Sequence, residues 1–482
     1  MDPKGCLRLF EAVEPSITYG KVSKVVGLIA EGRGIKAPLG SVCSLLPEDD
    51  SAPIPAEVVG FRDGALLFMP YSELRGTRPG SLIRNSATPP LMPVGEQYLG
   101  RAVDAFGQPM DKGEPVTPGD YNPLYCEPPN PLDRPRISEP LDVGVRAINS
   151  LLTLGKGQRV GIMAGSGVGK STLLGMMARY TKADVNVICL VGERGREVVE
   201  FMERDLGPEG MKRSVLVIAT SDTSPLIRMR CAYAATSMAE HFRDQGKDVL
   251  LMMDSVTRFC MAGREVGLAA GEPPTRGGYT PSVFSALPKL LERAGRSGKG
   301  SITGIYTVLV DGDDLTEPIA DATRSILDGH VVLTRELADQ GHYPSIDVLR
   351  SVSRLRTDIT STQEQAAGRV LVRNLSTYRR VEDMVNIGAY QRGANPEIDK
   401  ALDLVGPINK FLTQLVEEQS SIEDSMQQMV ELAATADPSV AKQGNGQKQG
   451  QGKQQNQQQN GQNKQQGQKK QQPADPQFKR SS

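Results

Sequence analysis

Histidine and paired cysteine are scarce in this chain: 482 residues carry three histidines and six cysteines, and no two cysteines stand in a CxxC pair. Cys6, Cys43, Cys126, Cys189, Cys231 and Cys260 lie far apart, so neither a disulfide framework nor a zinc site is expected, and the cytoplasm is the natural setting. Long apolar runs are missing too. The start, MDPKGCLRLF, holds no stretch suited to a signal peptide, and the longest runs, such as 249–253, are strand-sized rather than membrane-sized. Any membrane association is therefore expected to be peripheral. Net charge is the third absence: 56 Lys+Arg nearly cancel 57 Asp+Glu, which leaves no chain-wide footprint for nucleic acid or an anionic membrane. The balance is uneven along the chain. Residues 442–482 hold eight Lys/Arg against one Asp, leaving 48 basic and 56 acidic residues in 1–441, an acidic body with a basic tail.

What is present divides the chain into about three folded domains and two flanking segments. Leu7, Leu9, Phe10 and Val13 place either an amphipathic helix or a strand-entry segment in residues 1–15. Over 16–95, short β-branched and apolar runs punctuated by Gly and Pro predict a small β-barrel or sandwich. A Pro-rich stretch from Pro109 to Pro140 reads as an extended connection. Apolar runs at 159–164, 185–191, 214–219, 249–253 and 302–310 then alternate with helical patterns, the signature of an α/β core with a parallel sheet, taken here over 96–372. A helical domain is expected over 373–441, where Ile398, Leu402, Val405, Ile408, Phe411, Leu412, Leu415 and Val416 repeat at near-helical spacing with an interruption at Pro407. The Gln/Gly/Asn/Lys composition of 442–482 cannot bury enough apolar surface to order itself. Its charge serves either solvation or a contact with acidic lipid or protein.

The strongest chemical signal is AGSGVGKS, Ala164 to Ser171, directly after an apolar strand and opening a helix over 172–180. That is the context of a phosphate-binding loop. Gly165, Ser166, Gly167, Val168 and Gly169 would turn backbone N–H groups onto phosphates, helped by the positive end of the helix dipole that Thr172 continues. Lys170 is expected to reach the β/γ-phosphates and Ser171 to offer its hydroxyl to Mg²⁺, which makes ATP and Mg²⁺ the expected cofactors. The strict pattern has Gly where Ala164 stands, a departure that matters only if that position needs a positive φ. Asp254 ends the strand VLLMMD, where it is either a Mg²⁺-associated acid or a turn former. Glu193, in GERGRE, is either a carboxylate that polarises the attacking water or a salt-bridge partner of Arg194 or Arg196. Arg258, Arg324, Arg335, Arg350, Arg354 and Arg356 follow the catalytic strands, and residue chemistry alone does not choose among them.

Six stretches in order, AGSGVGKSTLLGMMARY, VGERGRE, FRDQGKDVLLMMDSVTRF, GEPPTRGGYTPSVFSALPKLLERAG, TVLVDGDDLTEPIADATRSILDGH and SVSR, resemble the flagellar protein-export ATPase family, itself related to the catalytic subunit of rotary F-type ATP synthases. The resemblance runs from about Ser16 to Leu432. It implies a RecA-like ATPase core between an N-terminal β-barrel and a C-terminal helical domain. Carried over residue by residue, Lys170 and Ser171 take the phosphate and Mg²⁺ positions, Glu193 the catalytic carboxylate, Asp254 the Mg²⁺-associated acid, Arg258 an arginine near the γ-phosphate and Arg354 the arginine finger. Tyr343, in HYPSID, matches the aromatic residue that stacks on adenine, although a Tyr before Pro344 also suits turn packing. Also implied are a homohexamer, a stator-like regulator at the N-terminal segment, a central stalk protein near 272–279, an export gate, chaperone–substrate clients and a position peripheral to the inner membrane at the flagellar base.

The chain lacks the acidic Asp-Glu-Leu-Ser-Glu-Glu loop of the rotary synthase subunit, which sets it apart from that enzyme. A virulence type III secretion ATPase would share all the residues named. An RNA-translocating ring would need a basic, aromatic barrel. Residues 1–95 instead balance ten Lys/Arg with ten Asp/Glu, so no nucleic-acid partner is expected.

Overall fold

Alternation of apolar and polar side chains gives most of the N-terminal strands a buried and an open face. They are β1 (Tyr19–Val26), β2 (Ile29–Arg33), β3 (Val42–Leu46), β4 (Ile54–Arg62), β5 (Ala65–Pro70) and β6 (Leu82–Asn85). They close into a barrel in the order β1-β2-β5-β4-β3-β6, with β6 returning to β1 so that Gly20 lies opposite Ile83. Its interior is filled by Val22, Ala30, Leu45, Val58, Phe68 and Ile83. The computed structural model describes residues 18–49, 51–85, 90–310, 312 and 314–441. The N-terminal segment 1–15, where a regulator is expected to bind, and the tail 442–482 lie outside the described residues.

β7 (Leu91–Val94) and β8 (Ala102–Val103) precede the extended connection, which carries β9 (Asp120–Pro123) and ends at β10 (Pro140–Leu141). After β11 (Leu154–Gly155) come β12 (Arg159–Ala164), β13 (Val185–Glu193), β14 (Ser214–Thr220), β15 (Asp248–Asp254), β16 (Gly295–Arg296), β17 (Ser301–Leu309), β18 (Gly329–Leu333) and β19 (Val352–Ser353). The main sheet runs β19-β18-β12-β17-β15-β13-β14-β8 and is parallel except at β19 and at the short β16, which pairs with β17. Strands β13, β15 and β17 are buried along almost their whole length, as expected of a sheet covered by helices on both faces. The five runs read from sequence are β12 to β15 and β17, each within two residues of its observed bounds.

Barrel and sheet meet at a buried polar seam. Tyr71 donates to Glu57 at 2.7 Å, Tyr125 donates to the same carboxylate at 3.3 Å, and Arg230 stacks on Phe106 while donating to the carbonyls of Ala105 and Leu91. Burial pushes the Glu57 carboxyl up, partly offset by the Tyr71 hydroxyl and the Arg230 charge.

The chain forms two compact units, one reaching Ile359 and including Phe411–Ser425, the other built from Thr360–Lys410 and the residues from Met426 on. Within the first, Arg146 donates to the carbonyls of Phe411 and Thr413, and Gln414 donates through its backbone to Tyr343, so this returning segment supports the loop that holds Tyr343. In the second, the helix Thr362–Asn386 starts at a capping box of Ser361 and Glu364, about ten residues before the turn to helix placed at 373. A cap sets a helix start more sharply than apolar spacing does. The helix Pro396–Leu412 continues through Pro407, where sequence predicts an interruption. The proline removes one backbone donor, but the buried stripe Ala401, Leu404 and Ile408 runs past it and keeps the segment helical.

Candidate active site

Ala164 closes β12 opposite both Leu309 and Leu333, in regular strand pairing. Asp63 is the one non-glycine with positive φ among the described residues, so the departure at Ala164 carries no strain. The turn falls later, on Gly167 (φ 78°) and Gly169 (φ 86°), conformations that a side chain would strain. Gly169 caps the helix Lys170–Tyr180, whose first N–H groups and dipole face the loop. Ser166, Gly167 and Ser171 are exposed there, Gly165 and Thr172 half-buried, and Val168 anchors the turn inward.

Lys170 reaches across the carboxyl edge of the sheet to the end of β15, where Nζ lies 2.5 Å from Asp254 Oδ1. Glu193 Oε1, at the end of β13, is 3.7 Å from the same ammonium. Three strands thus bring a lysine and two carboxylates together. Burial pushes the Lys170 ammonium down, but the adjoining Asp254 and Glu193 carboxylates outweigh it and the net shift is upward, so the lysine stays charged. Glu193 is pushed up to about 7, first by burial, then by the Asp254 charge, against the pull of Lys170, with a further upward contribution from Glu197. A carboxyl poised there exchanges protons readily near neutral pH.

Two local features aim these groups. Gly192 (φ 71°) makes a bulge between Val191 and Glu193, and a Cβ at Gly192 would press on Arg258 at 3.3 Å. Arg258 therefore lies alongside Glu193's strand, in the first turn of the helix Val256–Ala270 that Ser255 caps. Its Nε is buried with no hydrogen-bond partner among the described residues. Tyr343 is half exposed, with its ring 3.6 Å from where a Cβ on Gly169 would stand, so it flanks the loop.

Arg354 is not in this cluster. It follows β19, whose Val352 and Ser353 pair with His330 and Gly329 at the start of β18, and its N–H donates to the Asp328 carbonyl. Asp328 in turn holds Arg159 at the beginning of β12. Arg354 thus stands at the amino edge of the sheet, separated from the loop by the length of β12, roughly 17 Å at strand rise. Arg354 is exposed there.

Sequence reasoning missed three supporting side chains and, for Arg335, one of the six arginines it named, the contact. Thr307, fully buried in β17, donates to Asp254 Oδ1 at 2.7 Å, and a lone hydroxyl within an apolar strand was its signal. Glu197 adjoins Glu193 one helical turn on and bonds Arg194 at 3.0 Å. Ser345 donates to the Val168 carbonyl and Arg335 to the Ser166 carbonyl. Neither contact has a sequence signature.

Ser171 and Asp254 offer a hydroxyl and one carboxylate, and no cluster of three or more metal-ligating side chains occurs among the described residues. Hard oxygen donors in so small a number fit Mg²⁺, which keeps waters and phosphate oxygens in its shell, and not a metal that needs a full protein cage.

A phosphate-binding loop on a parallel sheet, with a lysine and two carboxylates at the carboxyl edge, defines a P-loop nucleoside triphosphatase of the RecA-like type. Residues 144–353 match the ATP synthase alpha/beta family, nucleotide-binding domain, and residues 360–431 match the T3SS EscN ATPase C-terminal domain. The chain is 50% identical to the flagellum-specific ATP synthase of Bacillus subtilis over 435 residues, covering 90% of this chain and 99% of that one. It is 48% identical to the type 3 secretion system ATPase of Xanthomonas euvesicatoria over 410 residues, 85% of this chain and 92% of that one. The structure of assembled EscN with its central stalk EscO, from the enteropathogenic E. coli type III secretion system, superposes with a TM-score of 0.80 at 44% identity over 86% of this chain and 100% of that one. The chain belongs to the family of flagellum-specific ATP synthases and type III secretion system ATPases, and it is an ATPase.

Proposed function

We propose that this chain hydrolyses ATP at the interfaces of a homohexameric ring and so drives protein export during flagellar assembly. The observation that carries the reading is the division of the catalytic set: Lys170, Glu193 and Asp254 cluster at one edge of the sheet, while Arg354 stands at the other. A finger that cannot reach its own loop serves the loop of an adjoining copy, and one chain carrying both halves can close a symmetric ring.

In that site the loop N–H groups and Lys170 hold the phosphates, and Tyr343 stacks on the base. Glu193 orients the attacking water and takes its proton, with Arg258 alongside. Arg354 of the neighbouring copy neutralises the transferring group. Ser171 and Asp254 would hold Mg²⁺, whose charge offsets that of the β/γ-phosphate oxygens.

Assembly around a stalk is described for EscN with EscO, and the exposed 272–279 turn is the corresponding surface proposed here. The export gate and chaperone–substrate complexes complete the proposed partners. Among the described residues no helix is long and apolar enough to cross a membrane, which agrees with a proposed cytoplasmic place peripheral to the inner membrane at the flagellar base. The Xanthomonas and EscN similarities keep a virulence system as the second reading, and loss of filaments and of secreted hook protein in a deletion strain would decide for the first.

The interface reading is tested by mixing inactive Lys170→Ala subunits with inactive Arg354→Ala subunits. Partial recovery is expected, since some interfaces pair an intact loop with an intact finger. No recovery despite demonstrated subunit exchange would remove Arg354 from the neighbour's site.

A further inference from the structure

A phosphate-binding loop that turns its N–H groups inward must aim carbonyls outward, and a carbonyl aimed into protein needs a donor. Two loop carbonyls have one. Ser345 Oγ donates to the Val168 carbonyl at 2.6 Å, and both residues are almost fully buried. Arg335 Nη2 donates to the Ser166 carbonyl at 2.9 Å. Both donors belong to a single excursion after β18, which leaves at Thr334 and returns where Thr334 N–H donates to the Ser345 carbonyl at 3.0 Å. Leu333, the last residue of β18, is opposite Ala164 and also bridges Ile346, so the excursion is pinned beside the start of the loop.

We propose that Ser345, assisted by Arg335, is a positioning residue for phosphate binding: it holds the Val168 carbonyl outward and thereby keeps the adjoining N–H groups aimed at the phosphates. The inference rests on the loop being the nucleotide site. Tyr343, two residues before Ser345 and beside Gly169, ties the same excursion to the base. One segment therefore serves both halves of the nucleotide through separable contacts. Ser345 acts on the phosphate half and Tyr343 on the base half.

That separation supplies the test. Inorganic pyrophosphate has no base, so its affinity, measured by competition with a fluorescent nucleotide, reports the loop alone. Ser345→Ala is expected to weaken pyrophosphate and ATP alike by about tenfold, the usual consequence of leaving a buried carbonyl without its donor, and to raise KM more than it lowers kcat. Ser345→Thr should restore most of the loss, because it returns a hydroxyl. Tyr343→Ala should weaken ATP while leaving pyrophosphate within about twofold. Should Ser345→Ala not fold, the exposed Arg335→Gln variant carries the test and must weaken pyrophosphate severalfold without lowering the melting temperature. Wild-type affinity for pyrophosphate in Ser345→Ala or, should that variant not fold, in Arg335→Gln would overturn the proposal. Lys170→Ala serves as the reference: retained ATP binding and turnover in that variant would overturn the loop as nucleotide site, a failure distinct from that of Ser345.

Discussion

Asp254 Oδ1 is shared between Lys170 Nζ at 2.5 Å and Thr307 Oγ1 at 2.7 Å, so one carboxylate oxygen ties the loop helix to the two central strands β15 and β17. Thr307→Val keeps the shape of the side chain and removes the donor. A hydrogen bond to a charged, buried acceptor contributes about 1.5–3 kcal/mol, so kcat/KM should fall roughly tenfold or more. Steady-state kinetics beside an unchanged circular dichroism spectrum would check it.

The poise of Glu193 predicts a pH profile. With its carboxyl pushed up to about 7, the deprotonated, water-activating form grows as pH rises through that value, and kcat/KM should climb on the acid side and level off above it. Glu197→Gln removes a group that raises it and should move the acid limb to lower pH. Glu193→Gln should abolish turnover while nucleotide binding persists.

The same shift has a stability consequence. A carboxyl raised in the folded state binds more protons folded than unfolded between its ordinary value and about 7, so its contribution to stability falls as pH rises through that window. Glu193→Gln should therefore gain melting temperature over the parent at pH 8 and gain less at pH 5. Equal differences at the two pH values would contradict the assignment.

Away from the site, Arg293 is buried on Glu240, with Nε to Oε1 at 2.9 Å, and donates to the Leu124 carbonyl, which fastens the Pro-rich connection to the core. Removing one partner strands a buried charge. Arg293→Met or Glu240→Gln should cost about 3–5 kcal/mol in urea unfolding, and replacing both residues with apolar ones should cost less than either change alone.

If Arg354 acts across an interface, turnover requires assembly. Specific activity should rise steeply with protein concentration, by a factor on the order of 10³ between dispersed and assembled states. A flat concentration profile would argue that each copy works alone.

The loop, its strand and its helix were legible because local chemistry dictates them: glycines where φ must be positive, a lysine and serine at a helix start, apolar runs that only a buried parallel sheet accommodates. Glu193 and Asp254 were legible as strand-end carboxylates, each with a bland alternative. The observed placement of both beside Lys170 is a fact of strand order, β13 and β15 adjoining and β17 between β15 and β12, which no local pattern encodes.

Residue types and spacing by themselves determined the main strands of the core and the phosphate-binding loop, and the resemblance proposed a role for each site residue. Only tertiary structure decided which groups share an electric field and which stand apart. Thr307 and Ser345 owe their roles to partners 53 and 177 residues away in the chain, and Arg354 is set at the far edge because β19 turns back antiparallel along the start of β18. Hydrogen bonds and charge coupling act over a few ångströms of space irrespective of separation along the chain, so they become visible only when the sheet has set its strand order and register.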